Sequence, residues 1–223
     1  MIIKVKNISK SYQKTGRGVL ALDDISFEIN EGDFVTITGQ SGSGKTTLLL
    51  SLAGLIKITG GQIHFNNFRI DNANDKYLSD FRKKYVGFVM QSFALIPYLT
   101  ALENIMLPLA ISKISKKEKI KKANTLIELV GLEDRIYHFP RELSAGQQQR
   151  IAIARALINE PSLILADEPT GNLDPSLSTD IMNLLKKINN EKHVTILMVT
   201  HSPVAAEYGS KKIHLHDGKI ISY

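Results

Sequence analysis

The stretch GQSGSGKT, residues 39–46, decides the fold of this chain. It fits the pattern G-x-x-x-x-G-K-[ST] at every fixed position, with a strand-like segment before it (Phe34–Thr38) and a helix-like segment after it (Thr46–Leu55). Glycines let the backbone curl so that successive N–H groups point inward, and the N-terminus of the following helix adds partial positive charge. The stretch therefore predicts a phosphate-binding loop rather than an ordinary glycine-rich turn.

Different residues of this loop are expected to contact different parts of a bound nucleotide. Lys45 is expected to neutralise the β- and γ-phosphates, and the hydroxyl of Thr46 is expected to ligate Mg²⁺. The other positions predicted to bind the nucleotide are Gly39, Gln40, Ser41, Gly42, Ser43, Gly44 and Thr47.

A second segment, LILADEP at 163–169, predicts a buried strand that ends in two acids. Ligands of open α/β sheets bind at such strand ends. Asp167 is expected to hold Mg²⁺, directly or through water, opposite Thr46. Glu168 is expected to accept a proton from an attacking water, or to orient that water. The alternative is that the two acids only cap a helix.

Two more polar residues follow predicted strands and are expected on the same rim. His201 follows the strand in TILMVTHS and is placed to donate a hydrogen bond to a γ-phosphate, with a purely structural role as an equal alternative. Gln91 ends VGFVMQ, where its amide is placed to contact Mg²⁺ or the attacking water. The simplest explanation for the apolar segment after it, residues 92–100, is packing in the hydrophobic core.

The polar stretch LSAGQQQR, residues 143–150, has no reactive group but has the pattern of a helix start. Ser144 and Gln147 form a capping box before a helix predicted over Gln147–Ile158, whose buried face comprises Ile151, Ala154 and Ile158. The cap does not explain Ala145 and Gly146, because Gly in a first turn costs about 1 kcal/mol relative to Ala. Small residues there leave helix N–H groups open to an anion. We therefore expect a second anion site, serving a nucleotide held by another copy of the chain.

The remaining pattern predicts an α/β fold with a mostly parallel sheet, because apolar strands alternate with helices. Residues 92–158 are mostly helical and look like an insertion into the sheet. Strands are predicted at Ile2–Ile8, Ile25–Ile29, Phe34–Thr38, Gln62–Phe65, Phe68–Ile70, Val86–Met90, Leu163–Ala166, Thr195–Val199, Lys212–His216 and Lys219–Ser222, with a hairpin turn at Asn66-Asn67.

Composition narrows the possible classes of protein. The chain has 223 residues, a net charge of +6 and no cysteine, so disulfides and thiolate metal sites are excluded. No apolar run is long enough to span a bilayer, and the N-terminal segment alternates like a strand rather than a secretion signal. The positive charge suits an anionic ligand, a membrane face or nucleic acid without choosing among them.

Taken in order and spacing, these motifs resemble the ATP-binding cassette (ABC) ATPase family over essentially the whole chain. The resemblance implies a P-loop core with an N-terminal antiparallel β subdomain and an inserted helical subdomain, in one domain over residues 1–223, with the core at 1–91 and 159–223 and the helical part at 92–158. It also implies ATP and Mg²⁺ as ligands, and a homodimer in the ATP-bound state. LSAGQ then corresponds to the family's signature motif, which contacts the γ-phosphate of the opposite subunit's ATP. Ala145 stands where Gly is usual, Tyr12 matches the residue that stacks on adenine, and Asp174 in NLDPS matches the acid that couples the two sites.

Two segments, at 93–109 and 142–157, are similar to the ATPases of lipoprotein-releasing systems and macrolide exporters. That similarity implies a separate membrane permease docking near Gln91–Tyr98, and a peripheral position on the cytoplasmic face of the inner membrane. The candidate contacts are Phe93, Leu95, Ile96, Pro97 and Tyr98. The alternative is a cell-division ABC ATPase that signals through a membrane partner without transport. No nucleic-acid partner is expected, because the segment between Thr46 and Ser144 is short and lacks the heptads of DNA-associated relatives.

Overall fold

The computed structural model describes residues 1–14 and 17–222 and contains two sheets with helices around them. The strands are β1 Ile3–Lys14, β2 Arg17–Ile29, β3 Phe34–Thr38, β4 Gly60–Phe65, β5 Phe68–Arg69, β6 Val86–Met90, β7 Leu163–Asp167, β8 Thr195–Val199, β9 Lys211–His216 and β10 Lys219–Ser222. The α-helices are α1 Lys45–Leu52, α2 Asp75–Tyr85, α3 Ala101–Met106, α4 Lys116–Val130, α5 Ala145–Leu157, α6 Pro175–Lys192 and α7 Pro203–Ala206.

The central sheet has the strand order β10-β9-β3-β8-β7-β6, and five of its strands run parallel. The sixth strand of this sheet, the edge strand β10, pairs antiparallel with β9. Parallel strands are usually buried on both faces, which explains the uninterrupted apolar runs in the sequence. Because the strands are parallel, their carboxyl ends meet at one edge of the sheet, where Met90, Asp167 and Val199 lie in register. The predicted fold class is confirmed.

The second sheet is antiparallel, has the order β2-β1-β4-β5 and is built from N-terminal residues. Its hairpin β4–β5 turns at Asn66 (φ 51°), as predicted, with Phe65 paired to Phe68. Strands β1 and β2 are longer than predicted. Asn7 and Asp24 adopt left-handed φ where the register between the two strands shifts, and these irregularities break the alternation that sequence patterning relies on.

The helical part contains α3, α4 and α5, as the residues at 92–158 predict. The prediction for α5 was wrong at its start, because the helix begins at Ala145, directly after the Ser144 cap, rather than at Gln147. Helices α2 and α6 were not predicted. Helix α1 stops at Leu52, and Gly54 (φ 61°) turns the chain away.

Side chains on the two faces of the central sheet enter two different cores. In β8, Ile196 and Met198 pack with α3, α4, α5 and α6, whereas Leu197 and Val199 pack with α1, α2 and the antiparallel sheet. The sheet is therefore the middle layer, with the phosphate loop and α1 on one side and the signature helix α5 on the other. Among the described residues, no helix combines the length and apolar character needed to cross a membrane.

Candidate active site

The phosphate loop occupies residues 39–44 at the carboxyl end of β3, and α1 begins at Lys45. Two glycines are required by close backbone approach as well as by positive φ. A Cβ on Gly39 (φ 150°) would lie 2.2 Å from the carbonyl oxygen of Leu215, and one on Gly44 (φ 100°) would lie 2.2 Å from that of Ala21. The loop is thus held against β9 and β2, in the shape that the motif predicts.

Lys45 is buried beneath this loop. Its Nζ donates hydrogen bonds to the carbonyl oxygens of Gly39 and Gln40, both at 2.8 Å. An ammonium group carries three N–H donors, so one remains for an anion in the cleft. Nearby, the buried Oγ of Ser43 has no hydrogen-bond partner among the described residues. A buried cation with a spare donor and an unpaired hydroxyl together favour an anionic ligand.

The cleft in front of the loop has a volume of about 410 Å³. It brings together most of the predicted phosphate-binding and catalytic side chains, which come from three different segments of the chain. Its lining residues are Ala21, Ser41, Gly42, Gly44, Lys45, Thr46, Thr47, Glu168 and His201.

Thr46 and Asp167 face each other and form the candidate magnesium site. The Thr46 Oγ1 lies 3.4 Å from each carboxylate oxygen of Asp167. Burial raises the pKa of the Asp167 carboxyl, the Thr46 hydroxyl opposes that shift, and the neighbouring Glu168 charge adds to it. Oxygen ligands suit Mg²⁺, which typically takes one or two protein ligands beside phosphate oxygens and waters. Among the described residues, no three His, Asp or Glu side chains are grouped as a metal site.

Glu168 directly follows β7 in a left-handed conformation (φ 46°). Its backbone N–H donates to the carbonyl of Val199 at 2.9 Å, and its Oε2 lies 2.7 Å from Nδ1 of His201. The two side chains therefore meet at the cleft, on the rim where the sequence predicted them. The alternative that Asp167 and Glu168 cap a helix is wrong, because the next helix begins at Pro175.

Gln91 lies beside the cleft but does not line it. Its Nε2 donates to Oδ1 of Asn172 at 3.2 Å, and Nδ2 of Asn172 donates to the Gln91 carbonyl at 3.0 Å. The guanidinium of Arg155, from α5, donates to the carbonyls of Phe93 and Ala94, which both have positive φ. These contacts of Asn172 and Arg155 were not predicted, because no local pattern links either residue to a loop more than sixty residues away.

The signature segment starts α5 as its capping box predicts. Ser144 Oγ accepts from the Gln147 N–H at 3.3 Å, and Gln147 Oε1 accepts from the Ser144 N–H at 2.9 Å. Close packing explains why residue 146 is glycine, which the sequence did not reveal. A Cβ on Gly146 would lie 3.0 Å from Leu177 Cδ2 at the start of α6. Residues 144–147 are absent from the lining of the 410 Å³ cleft described above, so in this chain they lie outside it.

Two other residues that were predicted to bind the nucleotide, Asp174 and Tyr12, do not line the cleft. Asp174 caps α6, because its Oδ1 accepts the N–H groups of Ser176 and Leu177, both at 3.0 Å. Tyr12 lies on β1 with the Lys10 Nζ 4.9 Å from its ring centre, and it is not among the lining residues of the cleft. The adenine-stacking role of Tyr12 and the coupling role of Asp174 stay predictions.

A glycine-rich loop between a strand and a helix, beside a strand that ends in acids, defines a P-loop nucleoside triphosphatase. The sequence also matches the family model described as ABC transporter over residues 22–171, more than half of the chain. The chain therefore belongs to the ABC transporter family, and it is an ATP-binding ATPase subunit of that family.

Similar proteins extend over nearly the whole chain. It is 47% identical over 220 residues to an uncharacterized ABC transporter ATP-binding protein of Methanocaldococcus jannaschii, covering 99% of this chain and 98% of that protein. It is 43% identical to the lipoprotein-releasing system ATP-binding protein LolD of Francisella tularensis, covering 99% and 96%. The ATP-binding cassette MJ0796 of M. jannaschii, solved as a dimer in a post-hydrolysis state bound to ADP and Pi, superposes with a TM-score of 0.91 at 42% identity, covering 99% and 97%.

Proposed function

We propose that two copies of this chain close head to tail on two ATP molecules and thereby drive a separate membrane permease. One observation carries the proposal: the cleft contains Lys45, Glu168 and His201, whereas the signature residues 144–147 of the same chain do not line it. An anion site at the start of α5 then serves a nucleotide bound to a second copy. The dimeric post-hydrolysis structure of MJ0796 supports the same arrangement by similarity.

In the proposed reaction, water attacks the γ-phosphorus of ATP, the bond from that phosphorus to the bridging oxygen breaks, and ADP and phosphate leave. Each side chain has one task in this step. The loop amides and Lys45 bind the β- and γ-phosphates and stabilise the charge that develops there. Glu168 accepts the proton of the attacking water. Thr46 and Asp167 would hold Mg²⁺, with Gln91 as a further ligand, and the ion offsets phosphate charge when bound.

His201 has a constrained part in this chemistry. Its contact with the Glu168 carboxylate at 2.7 Å uses the proton on Nδ1. A neutral ring then carries only an acceptor at Nε2, so donation to a γ-phosphate requires protonation of the ring or release of Glu168. In the present arrangement, His201 therefore orients the carboxylate of Glu168.

At the dimer contact, the signature supplies donors rather than reactive groups. The Ser144 hydroxyl accepts one hydrogen bond from the Gln147 N–H and keeps its own O–H free to donate to a phosphate. Ala145 and Gly146 add the first N–H groups of α5, which no intrahelical acceptor uses, whereas the Gln147 N–H is taken by the Ser144 hydroxyl.

The proposed permease contact is the segment from Gln91 to Tyr98. None of the apolar side chains at 93–98 is fully buried, and Tyr98 is 75% exposed, which disfavours core filling as the reason for their character. Leu95 is partly buried and packs against the core that contains residues of α3, α4, α5 and α6, which anchors the segment. We propose that an apolar permease helix covers this surface, which would hold the protein at the cytoplasmic face of the membrane.

The variant Glu168→Gln tests the proposed chemistry. It keeps the side-chain size but removes the base, so we expect ATP binding to persist, turnover to fall at least about 100-fold, and a dimer to accumulate with ATP in light-scattering measurements. Glu207→Gln is the control, because Glu207 pairs with Lys212 on the surface. Undiminished hydrolysis by Glu168→Gln would contradict the role of Glu168.

Partner identity needs a second experiment. The chain is purified with its membrane partner and reconstituted into vesicles, and movement of lipoprotein, peptide or macrolide is followed with ATP. Transport supports the permease proposal. ATP turnover by a partner complex that moves none of these substrates favours the cell-division type of signalling ATPase.

A further inference from the structure

Gln149 is a buried polar residue in the middle of α5 that the proposed chemistry does not use. Its side chain is completely inaccessible to solvent. Its Nε2 donates a hydrogen bond of 2.6 Å to the carbonyl of Pro169, the residue after Glu168. Its Oε1 has no hydrogen-bond donor in the described part of the chain.

Stability does not explain this amide. One neutral hydrogen bond contributes a modest net free energy to folding, and a buried acceptor without a donor costs at least as much. A methionine has nearly the same volume and carries no acceptor that needs a donor, so it would fill the space at no greater cost. The hydrogen bond to Pro169 is therefore better explained by what it positions.

The loop that receives this hydrogen bond holds Glu168 in a conformation that needs restraint. A left-handed φ is unfavourable for a residue with a side chain, and it persists only where the surroundings impose it. Two backbone hydrogen bonds restrain Glu168 directly: its N–H to Val199 at 2.9 Å, and its carbonyl from the Gly171 N–H at 3.0 Å. Gln149 adds a restraint one residue later, from helix α5.

We propose that Gln149 is a positioning residue that fixes the Pro169 carbonyl and so keeps the Glu168 carboxylate aimed at the cleft. The inference rests on the proposed role of Glu168. It links that carboxylate to α5, the helix whose first turn is the signature. A displacement of α5 reaches Glu168 through this hydrogen bond.

The test replaces Gln149 with Met and compares it with Gln148→Met. Gln148 is the matched control, because it lies on the same helix. Its Nε2 donates to the carbonyl of Leu143 and not to the loop that contains Glu168 and Pro169. We expect Gln149→Met to bind ATP with unchanged Kd while kcat falls about tenfold or more, since small displacements of a catalytic group are costly. Gln148→Met should keep kcat. Gln149→Leu is the second variant if the methionine protein does not fold.

A double variant separates positioning from a general structural effect. If Gln149 acts through Glu168, single-turnover hydrolysis by Glu168→Gln should not fall further when Gln149→Met is added. Full kcat in Gln149→Met, or an added loss in the double variant equal to that of the single one, would overturn the inference. The proposed function fails separately, if Glu168→Gln alone retains turnover.

Discussion

Asn104 on α3 offers a quantitative test of how the proposed docking segment is held. The side chain is completely buried and makes four hydrogen bonds to backbone groups of residues 96–100. Its Oδ1 accepts from the Ile96 N–H at 2.7 Å, and its Nδ2 donates to the carbonyls of Ile96, Leu99 and Thr100 at 3.1, 2.9 and 3.0 Å. The Asn104 amide therefore supplies the hydrogen bonds that a helix or sheet would otherwise supply to the backbone of residues 96–100.

The substitution Asn104→Ala removes these side-chain hydrogen bonds and leaves the Ile96 N–H and the Leu99 carbonyl to find other partners. The carbonyls of Ile96 and Thr100 keep the hydrogen bonds from the backbone N–H groups of Leu99 and Asn104. Each buried group left unpaired costs about 1–3 kcal/mol. The segment is partly exposed, so some of these groups regain water and the costs do not simply add. We expect a loss of about 2–4 kcal/mol in the free energy of unfolding. At about 2–4 °C per kcal/mol for a chain of this size, Tm should fall by roughly 5–15 °C.

Scanning calorimetry and urea unfolding without nucleotide measure this effect. Asn124→Ala is the control, because Asn124 is exposed on α4 and its change should stay within about 0.5 kcal/mol. Proteolysis should also cut Asn104→Ala faster within residues 95–100, while ATP still binds the distant cleft. An Asn104→Ala protein whose Tm lies within 2 °C of the control, on the order of the shift from 0.5 kcal/mol, would refute the reasoning.

Two further substitutions test the nucleotide site. Gly44→Ala should weaken ATP binding at least about tenfold in titration calorimetry, because its Cβ meets the Ala21 carbonyl at 2.2 Å and its φ is 100°. Asp167→Asn should abolish the Mg²⁺ dependence of ATP binding yet stabilise the nucleotide-free protein. Burial raises the pKa of the Asp167 carboxyl, so its ionisation destabilises the fold as pH rises above about 4. In urea unfolding, the gain should be present at pH 7 and disappear below pH 4, and a gain that grows toward acid would contradict it.

The central strands could be predicted because burial on both faces leaves an uninterrupted apolar run. Phe34–Thr38, Val86–Met90 and Thr195–Val199 have the same bounds in the structure as in the sequence prediction. The long ribbon of β1 and β2 was underestimated, since its bulges place polar residues where alternation would continue. Helix α6 was missed although Asp174-Pro175 is a normal helix start.

The candidate site was predictable only where its chemistry is local. The phosphate loop is contiguous, so one segment specifies its glycines, its lysine and its helix. The contacts of Gln149 with Pro169, and of Arg155 with Phe93 and Ala94, join residues that are distant in sequence. Gln and Arg on a helix have no periodicity that distinguishes these uses from an exposed face, so only the packed structure identifies them.

These long-range contacts are all made by residues of α5, so they connect the signature segment physically to two distant loops. Along α5, Gly146 packs against the start of α6, Gln149 holds the loop after Glu168, and Arg155 holds the loop after Gln91. From Gly146 to Arg155 an α-helix rises only about 14 Å, so these contacts lie on one rigid rod. In the proposed dimer, a shift of α5 on contact of its first turn with a phosphate would therefore act on both loops together. A motif without a reactive side chain can in this way influence where the base stands and how the proposed permease contact is held.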